Sequence, residues 1–342
     1  MNKILLIVLT VLMFFSCGQK DKRQALVTIE TKNDSEFVIK KDTFNFSING
    51  RLRSVALFND KYYCMFLSQR KNTSRSFKKM VVLDNKGDFL EDVFLPKGIQ
   101  RMNYFNIEIE NDSLFLQRAQ FDEENFALGK YVTDFKPTAT RTFKSFEDEN
   151  FNVYARCRGE FGGTIFFQNK HTKELFEGSS TCPIVVNTID DEYYITNYMG
   201  HMMGFASVIK IPDPKNLEKS NWDFKQRFGS RNERGIEKLL DTMDFYIPTS
   251  FVSKKRLLHI YSDDKGTHIA TIENNKMNPI YTFDFTFYPQ FNQQLDNGKQ
   301  LLTFKYANTG TDGILLIEEN TFNFHFFRLK IVVPRRLNPS IS

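Results

Sequence analysis

Five histidines, His171, His201, His259, His268 and His325, are spread through the 342-residue chain. None stands in an H-x-H or H-E-x-x-H pattern or beside a cysteine at ligand spacing, so neither a metal site nor a cofactor is expected. His259 and His325 fall inside strand-like runs and read as packed or solvated side chains. Nucleophile-elbow, P-loop and dinucleotide-binding motifs are missing from the sequence. Carboxylates occur side by side at Glu123-Glu124, Asp190-Asp191 and Asp263-Asp264, but at turn signals, where acidic residues belong for backbone reasons. A glycosidase pair assembled from acids distant in sequence stays open, since spacing alone cannot pick it out. Enzyme activity is thus less expected than binding.

The segment Lys225-Gln226-Arg227-Phe228-Gly229-Ser230-Arg231-Asn232-Glu233-Arg234-Gly235 sets four cations against one acid, Glu233, just downstream of the only tryptophan, Trp222. Guanidinium forks take carboxylates and sulfates in bidentate fashion, and an exposed indole stacks on a sugar ring. Trp222, Arg227, Arg231 and Arg234 are therefore candidate ligands for an acidic glycan. The plainer reading buries Trp222 and leaves the arginines solvated or paired with Asp223, Glu237 and Asp241. Of the cysteines beyond residue 17, Cys157 and Cys182 lie 25 positions apart on neighbouring strand-like runs. They are the expected disulfide if export provides an oxidising compartment, with Cys64 left over.

Export is indicated at the N-terminus. Asn2 and Lys3 lead into the apolar run Ile4 to Phe15, too short to span a bilayer, which takes about 20 residues. A charged start, an apolar core and small residues at the cut mark a secretory signal over residues 1–16. Phe14-Phe15-Ser16-Cys17-Gly18 resembles a lipobox, which implies cleavage before Cys17 and lipidation of its thiol and new N-terminus. Multiple acyl chains anchor stably where one does not, so residues 17–24 read as a lipidated tether and the membrane as the first partner. On the same resemblance, Gly18 after the cysteine implies an outer-membrane destination, facing either the periplasm or the medium.

Loss of the signal removes only Lys3 among charged residues, taking the net charge from +5 to +4 over 326 residues. A charge this small argues against a nucleic-acid partner. The chain is rich in aromatics, 36 Phe and 13 Tyr against one Trp, which favours strands, where such side chains pack on cross-strand neighbours. Thr43 to Ile48, Asn106 to Glu110 and Tyr281 to Phe287 alternate apolar and polar residues. Lys79 to Leu83 and Gly313 to Ile317 are apolar runs suited to strands covered on both faces. Turn signals at 84–88, 110–113, 263–266 and 296–299 separate them. The rhythm breaks at Ile211-Pro212-Asp213-Pro214, and the charged stretch at about 212–241 reads as an insertion, with Gly235 to Asp241 its best helix candidate.

A polar turn followed by an apolar strand recurs at Asn59 to Leu67, Asn111 to Leu116, Gly162 to Phe167, Asp190 to Ile195, Lys254 to Ile260 and Asn297 to Leu302. Six copies in 326 residues give about 54 residues per unit, near the ~40–50 of a propeller blade. An all-β architecture is expected, with a six-bladed β-propeller over residues 25–342 as the preferred fold. Seven blades, or paired β-sandwiches with a boundary near 212–222, are the alternatives. The lipobox, the unit Val82-Leu83-Asp84-Asn85-Lys86-Gly87-Asp88-Phe89-Leu90 and the strand Asn111 to Leu116 together resemble the six-bladed β-propeller lipoproteins of Gram-negative gut anaerobes. That resemblance covers most of the mature chain and carries no assigned chemistry. The sequence therefore points to a membrane-anchored cell-envelope lipoprotein that binds a glycan or an envelope protein or acts as a scaffold. The alternative is a carbohydrate hydrolase or lyase with carboxylates at the propeller funnel.

Overall fold

The computed structural model describes residues 30–328 apart from 35, 47–49, 70–75, 102–104, 119–124, 129–134, 139–142, 201–204, 222–228 and 296–297. Cys17 and the rest of the signal and tether lie outside these residues. The chain opens with an antiparallel hairpin of β1 (Glu30–Asp34) and β2 (Phe37–Phe44). Sheet I comes next as β3 (Arg51–Phe58), β4 (Lys61–Gln69), β5 (Ser76–Leu83) and β6 (Phe89–Val93), and a short helix, α1 (Lys97–Arg101), leads out of it. Sheet II is β7 (Phe105–Glu110), β8 (Ser113–Arg118), β9 (Asn125–Leu128) and β10 (Lys136–Thr138). Sheet III is β11 (Phe146–Glu147), β12 (Phe151–Cys157), β13 (Gly163–Asn169) and β14 (Leu175–Ser179). Sheet IV begins with β15 (Pro183–Ile189), β16 (Glu192–Met199) and β17 (Phe205–Ile211). The chain then returns to the edge of sheet III as β18 (Glu218–Lys219) before completing sheet IV as β19 (Glu237–Thr242). Sheet V is β20 (Tyr246–Ser253), β21 (Arg256–Asp263), β22 (Gly266–Glu273) and β23 (Lys276–Thr282). Sheet VI is β24 (Phe287–Gln294), β25 (Gln300–Tyr306), β26 (Asp312–Glu318) and β27 (Thr321–Phe327), and β2 adds to β27 as a parallel outer strand.

Within each sheet the strands follow chain order as antiparallel meanders, with the first strand always at one end. β24 lies against β3, β7 and β20, and the Gln294 side chain reaches β15. First strands from four other sheets thus converge around β24, the radial arrangement of a β-propeller. The described residues form six such sheets. A division into two sandwiches near 212–222 does not occur, because β18 in that stretch pairs with sheet III while β17 before it and β19 after it belong to sheet IV.

Local chemistry accounts for the meanders. Asn59-Asp60, Asn111-Asp112, Asp190-Asp191 and Lys254-Lys255 each hold two successive positive φ angles between the first and second strands of sheets I, II, IV and V. This is the two-residue hairpin turn whose twist matches the strands. Cores form where sheets face one another. Met65, Met80, Val82, Ile107 and Leu116 join sheets I and II, and Phe251, Phe287, Phe304, Phe322 and Phe324 join sheets V and VI.

The helix expected over Gly235 to Asp241 is instead the strand β19. Leu240 is buried against Ala206 and Val208, and the backbone completes hydrogen bonds along β17 with one bulge at Val208–Ile209. Satisfying the open edge of sheet IV outweighs a weak local helix preference. The charged insertion is accordingly not a solvated loop throughout: it carries the short strand β18 and ends in β19.

Candidate functional site

The converging first strands form the place where a propeller carries its axial site, and side-chain amides cross it. A bulge between Phe291 and Gln293 in β24 adds one residue to the strand, which re-aims the side chains beyond it. Asn292 Oδ1 accepts from the Val55 amide at 2.9 Å and Gln293 Oε1 from the Leu57 amide at 3.0 Å, both on β3. Gln294 reaches the opposite way, to β15: its Oε1 accepts from the Val186 amide at 3.1 Å and its Nε2 donates to the Val186 carbonyl at 2.7 Å. Three consecutive amides therefore join sheets I, IV and VI across the axis.

Ionisable groups near these strands sit in separate environments. Glu108 and Glu110 occupy one face of β7, opposite Ile107 and Ile109. Glu108 keeps part of its surface in solvent while its carboxyl group is enclosed, and burial pushes it up to about 7. Burial also raises Asp312, whose Oδ2 accepts from the Leu52 amide at 2.7 Å across the junction of sheets VI and I. His259 is fully buried, and desolvation lowers it to about 3, so it is neutral. Its Nδ1 lies 2.6 Å from Ser250 Oγ, which lies 2.5 Å from Thr196 Oγ1. This relay resembles part of a catalytic triad in composition but is sealed from solvent and spans the seam between sheets IV and V.

The other expected histidines have local partners as well. His268 is held by Thr282 and Asp263, both at 2.9 Å. His325 bonds Asp42 at 2.6 Å and stacks on Phe44. His171 is exposed at a turn, and His201 lies outside the described residues. Among the described residues no group of three or more His, Cys, Asp or Glu is placed to hold a metal ion.

The arginine-rich segment is placed in part. Trp222 and Arg227 lie outside the described residues, whereas Arg231 and Arg234 are exposed. The backbone that carries them is pinned to sheet III. Leu217 and Ile236 pack into the core of sheets III and IV at either end of the excursion, over Gly178, where a Cβ would meet Ile236 at 2.9 Å. Further along, the Gly229 amide donates to the Phe161 carbonyl, the Ser230 amide to Thr164 Oγ1, and the Ser179 amide to the Asn232 carbonyl. Gly229 and Gly163 meet backbone to backbone: a Cβ on Gly229 would lie 2.2 Å from the Gly163 nitrogen. Asn232 Oδ1 caps the Arg234 amide, and Glu233 pairs with Lys238 at 2.6 Å, while Glu237 lies 3.7 Å from Lys210. Cys157 and Cys182, with Cα atoms 4.1 Å apart, are joined beside this contact and link sheet III to the start of β15. Cys64 is a buried free thiol, and burial pushes its pKa well above the usual range.

Neither Glu108, the axial amides nor the Thr196–Ser250–His259 relay stood out in the sequence as functional. One signal was available: Asn292-Gln293-Gln294 places three amides inside a strand, where Asn in particular is depleted.

No family model and no curated protein matches the chain. Among solved structures it is similar to the β-propeller domain of the trilobed protease from Pyrococcus furiosus, at 9% identity and TM-score 0.36, covering 80% of this chain and 94% of that one. It is also similar to a GH32 β-fructofuranosidase from Bombyx mori, at 8% identity and TM-score 0.30, covering 82% and 87%. A third is BBS1N in complex with ARL6DN, at 10% identity and TM-score 0.33, covering 82% of both chains. At these scores the fold rests on the sheet order above, and the neighbours' activities do not transfer.

Proposed function

We propose that this protein is a lipid-anchored cell-envelope lipoprotein whose propeller binds an envelope ligand or partner through its rim and not through its axis. The observation that carries this reading is the set of axial amides. Asn292, Gln293 and Gln294 spend their hydrogen bonds on the backbones of β3 and β15, so the position a funnel-based enzyme would use is occupied by structural contacts. The rim supports the same reading: Arg231 and Arg234 stand in solvent on a backbone fixed to sheet III. Fixed arginines lose less freedom on binding than arginines on a free loop, which suits an acidic glycan. The soluble form beginning at Gln19, applied to an array of acidic glycans at low salt, is expected to bind. Replacement of Arg227, Arg231 and Arg234 by Ala should remove binding and leave the melting temperature nearly unchanged, as surface changes cost under about 0.5 kcal/mol each. Wild-type protein that ignores every acidic glycan would overturn the glycan assignment. The anchor is tested separately. Cys17→Ala should shift the protein from the membrane to the soluble fraction, and retention after a high-salt wash would refute the lipid tether.

Glu108 favours a second reading. A carboxyl group raised to about 7 holds a proton near neutrality and so suits a general acid. Glycan turnover abolished by Glu108→Gln with the fold intact would establish a hydrolase or lyase. Equal product release by wild type and variant would exclude Glu108 from that role.

A further inference from the structure

A cluster of cations that the rim reading does not use lies at the junction of sheets VI and I, where β24 and β3 begin side by side. Tyr288 stands opposite Lys305, and Lys305 opposite Asp312, on neighbouring antiparallel strands of sheet VI. Residues directly opposite share a face of the sheet, so the three form one row. Phe287 and Phe304 alternate with that row and pack on the other face, into the core with sheet V. The row thus faces sheet I, and Asp312 reaches it: its Oδ2 accepts from the Leu52 amide at 2.7 Å.

Arg51 and Arg53 flank that amide in the chain. A bulge between Leu52 and Ser54 leaves Arg53 with no single residue opposite it on β4, and such an insertion re-aims the side chains around it. Arg51, Arg53 and Lys305 are all exposed, and all three lie near enough for their charges to act on Asp312. Among the described residues no ion pair to a carboxylate holds any of them. Three cations therefore surround one carboxylate that is already bonded to a backbone amide, a balance that favours a bound anion. Tyr288 supplies a different contact. Its side chain is 55% exposed while its neighbour Phe287 is fully buried. An exposed ring offers a flat apolar face to the C–H side of a sugar, and guanidinium forks take a carboxylate or sulfate in bidentate fashion.

We propose that Tyr288, Lys305, Arg51 and Arg53 form a subsite for one anionic sugar ring, stacked on Tyr288 with its acid group among the three cations. The subsite deepens the acidic-glycan reading and rests on it, but it uses none of the arginines of the excursion from sheet IV. Asn292 and Gln293 tie β24 to β3 further along, so the sugar sits on the face of the ring and the axis stays closed. A single ring binds weakly, and a chain long enough to engage both places gains by avidity. Loss of either place is then enough to clear an array.

Titration of the soluble form beginning at Gln19 with sodium glucuronate, followed at the Tyr288 ring by NMR, tests the subsite. Arg51→Ala combined with Arg53→Ala should weaken binding at least about tenfold, the loss of charge-assisted hydrogen bonds. Lys305→Gln, which leaves β3 untouched, should weaken it in the same direction. Tyr288→Ala should weaken glucuronate and leave inorganic sulfate unaffected, and Arg231→Ala combined with Arg234→Ala should change neither. Glucuronate binding that survives the Arg51 and Arg53 pair and Lys305→Gln, or that is lost only with Arg231 and Arg234, would overturn the subsite and leave the rim reading standing. Sulfate bound as tightly as glucuronate, with Tyr288→Ala without effect on either, would reduce the cluster to simple anion pairing and overturn it equally. Wild-type protein that binds glycans on the array but no glucuronate would remove the subsite alone. A glucuronate shift at Tyr288 without any binding on the array would remove the rim reading alone.

Discussion

The two faces of sheet V show two ways of joining neighbouring sheets in one ring. Strand alternation divides them: along β21, Leu258 and Ile260 point toward sheet VI, while His259 and Tyr261 point toward sheet IV. Toward sheet VI the seam is dry and aromatic. Phe283, Phe287, Phe304, Phe322 and Phe324 meet edge to face, with centroids 5.0 to 5.8 Å apart. Toward sheet IV the apolar cluster mixes the small Ala206, Val208 and Ala270 with Leu240, Ile247 and Tyr261, and the Thr196–Ser250–His259 relay crosses the same seam. The aromatic seam obtains its stability from buried area and tolerates some sliding. The polar seam contributes little net energy but allows one register, because any other leaves buried groups unpaired.

The largest effect should come from breaking the dry face. Phe324→Ala leaves a cavity among at least four rings and is expected to destabilise by about 3–5 kcal/mol, read as a lowered midpoint in urea unfolding. A loss below about 1 kcal/mol would mean that the rings repack freely and the seam is not close-packed. On the polar face, Ser250→Ala strands His259 Nδ1 and Thr196 Oγ1 and should cost about 1–3 kcal/mol. The combined variant Thr196→Val, Ser250→Ala, His259→Leu should cost less than Ser250→Ala alone, since no polar group is then left unpaired. If the combined variant costs the sum of its parts, the relay stabilises in its own right and the contrast fails.

Acid distinguishes the faces further. An unfolded chain protonates His259 below its ordinary value of 6.5, whereas the buried ring resists until about 3. The histidine therefore lowers stability as pH falls between those values. In the combined variant this slope should disappear, while Phe324→Ala should retain it. Glu108 in sheet II acts in the opposite window. Its carboxyl ionises near 4.5 in the unfolded chain and near 7 in the folded one, so folding weakens as pH rises through that interval and levels off above it. Glu108→Gln should be the more stable protein at pH 8 by about 1–2 kcal/mol, allowing for the residue's remaining exposure. Equal stability at pH 8 would show that the carboxyl finds a partner when ionised.

These contrasts also mark what could be read from the chain in advance. The all-β class was legible because hairpin turns and alternating strands are local. The repeat was legible at five positions, where the polar turn precedes the second strand of a sheet. The sixth was misplaced: Gly162 to Phe167 is the third strand of sheet III, and the equivalent unit is Asp148-Glu149-Asn150 leading into β12, where Asp148 caps the Asn150 and Phe151 amides. That slip accounts for the short interval before Asp190, and the detour of residues 212–236 back to sheet III accounts for the long one after it. The detour was illegible because its cause is non-local. Glu218 and Lys219 pair with a strand some 40 residues earlier, and the register is set by Leu217 and Ile236 finding space over Gly178. The axial amides were hidden for the same reason, since their partners are backbone groups of β3 and β15, on which sequence leaves no mark.

If the proposed lipid tether holds the protein by its N-terminus, the hairpin of β1 and β2 takes on a mechanical meaning. Tension would then arrive at Glu30, whose partner is Lys41 at the open end of the hairpin. The load would open β1 one residue pair at a time, from Lys41 toward the turn at Phe37, before any force reached the seven-residue parallel ladder between β2 and β27. Under that proposal β1 would act as a mechanical fuse, lengthening the leash under strain ahead of the ring behind it.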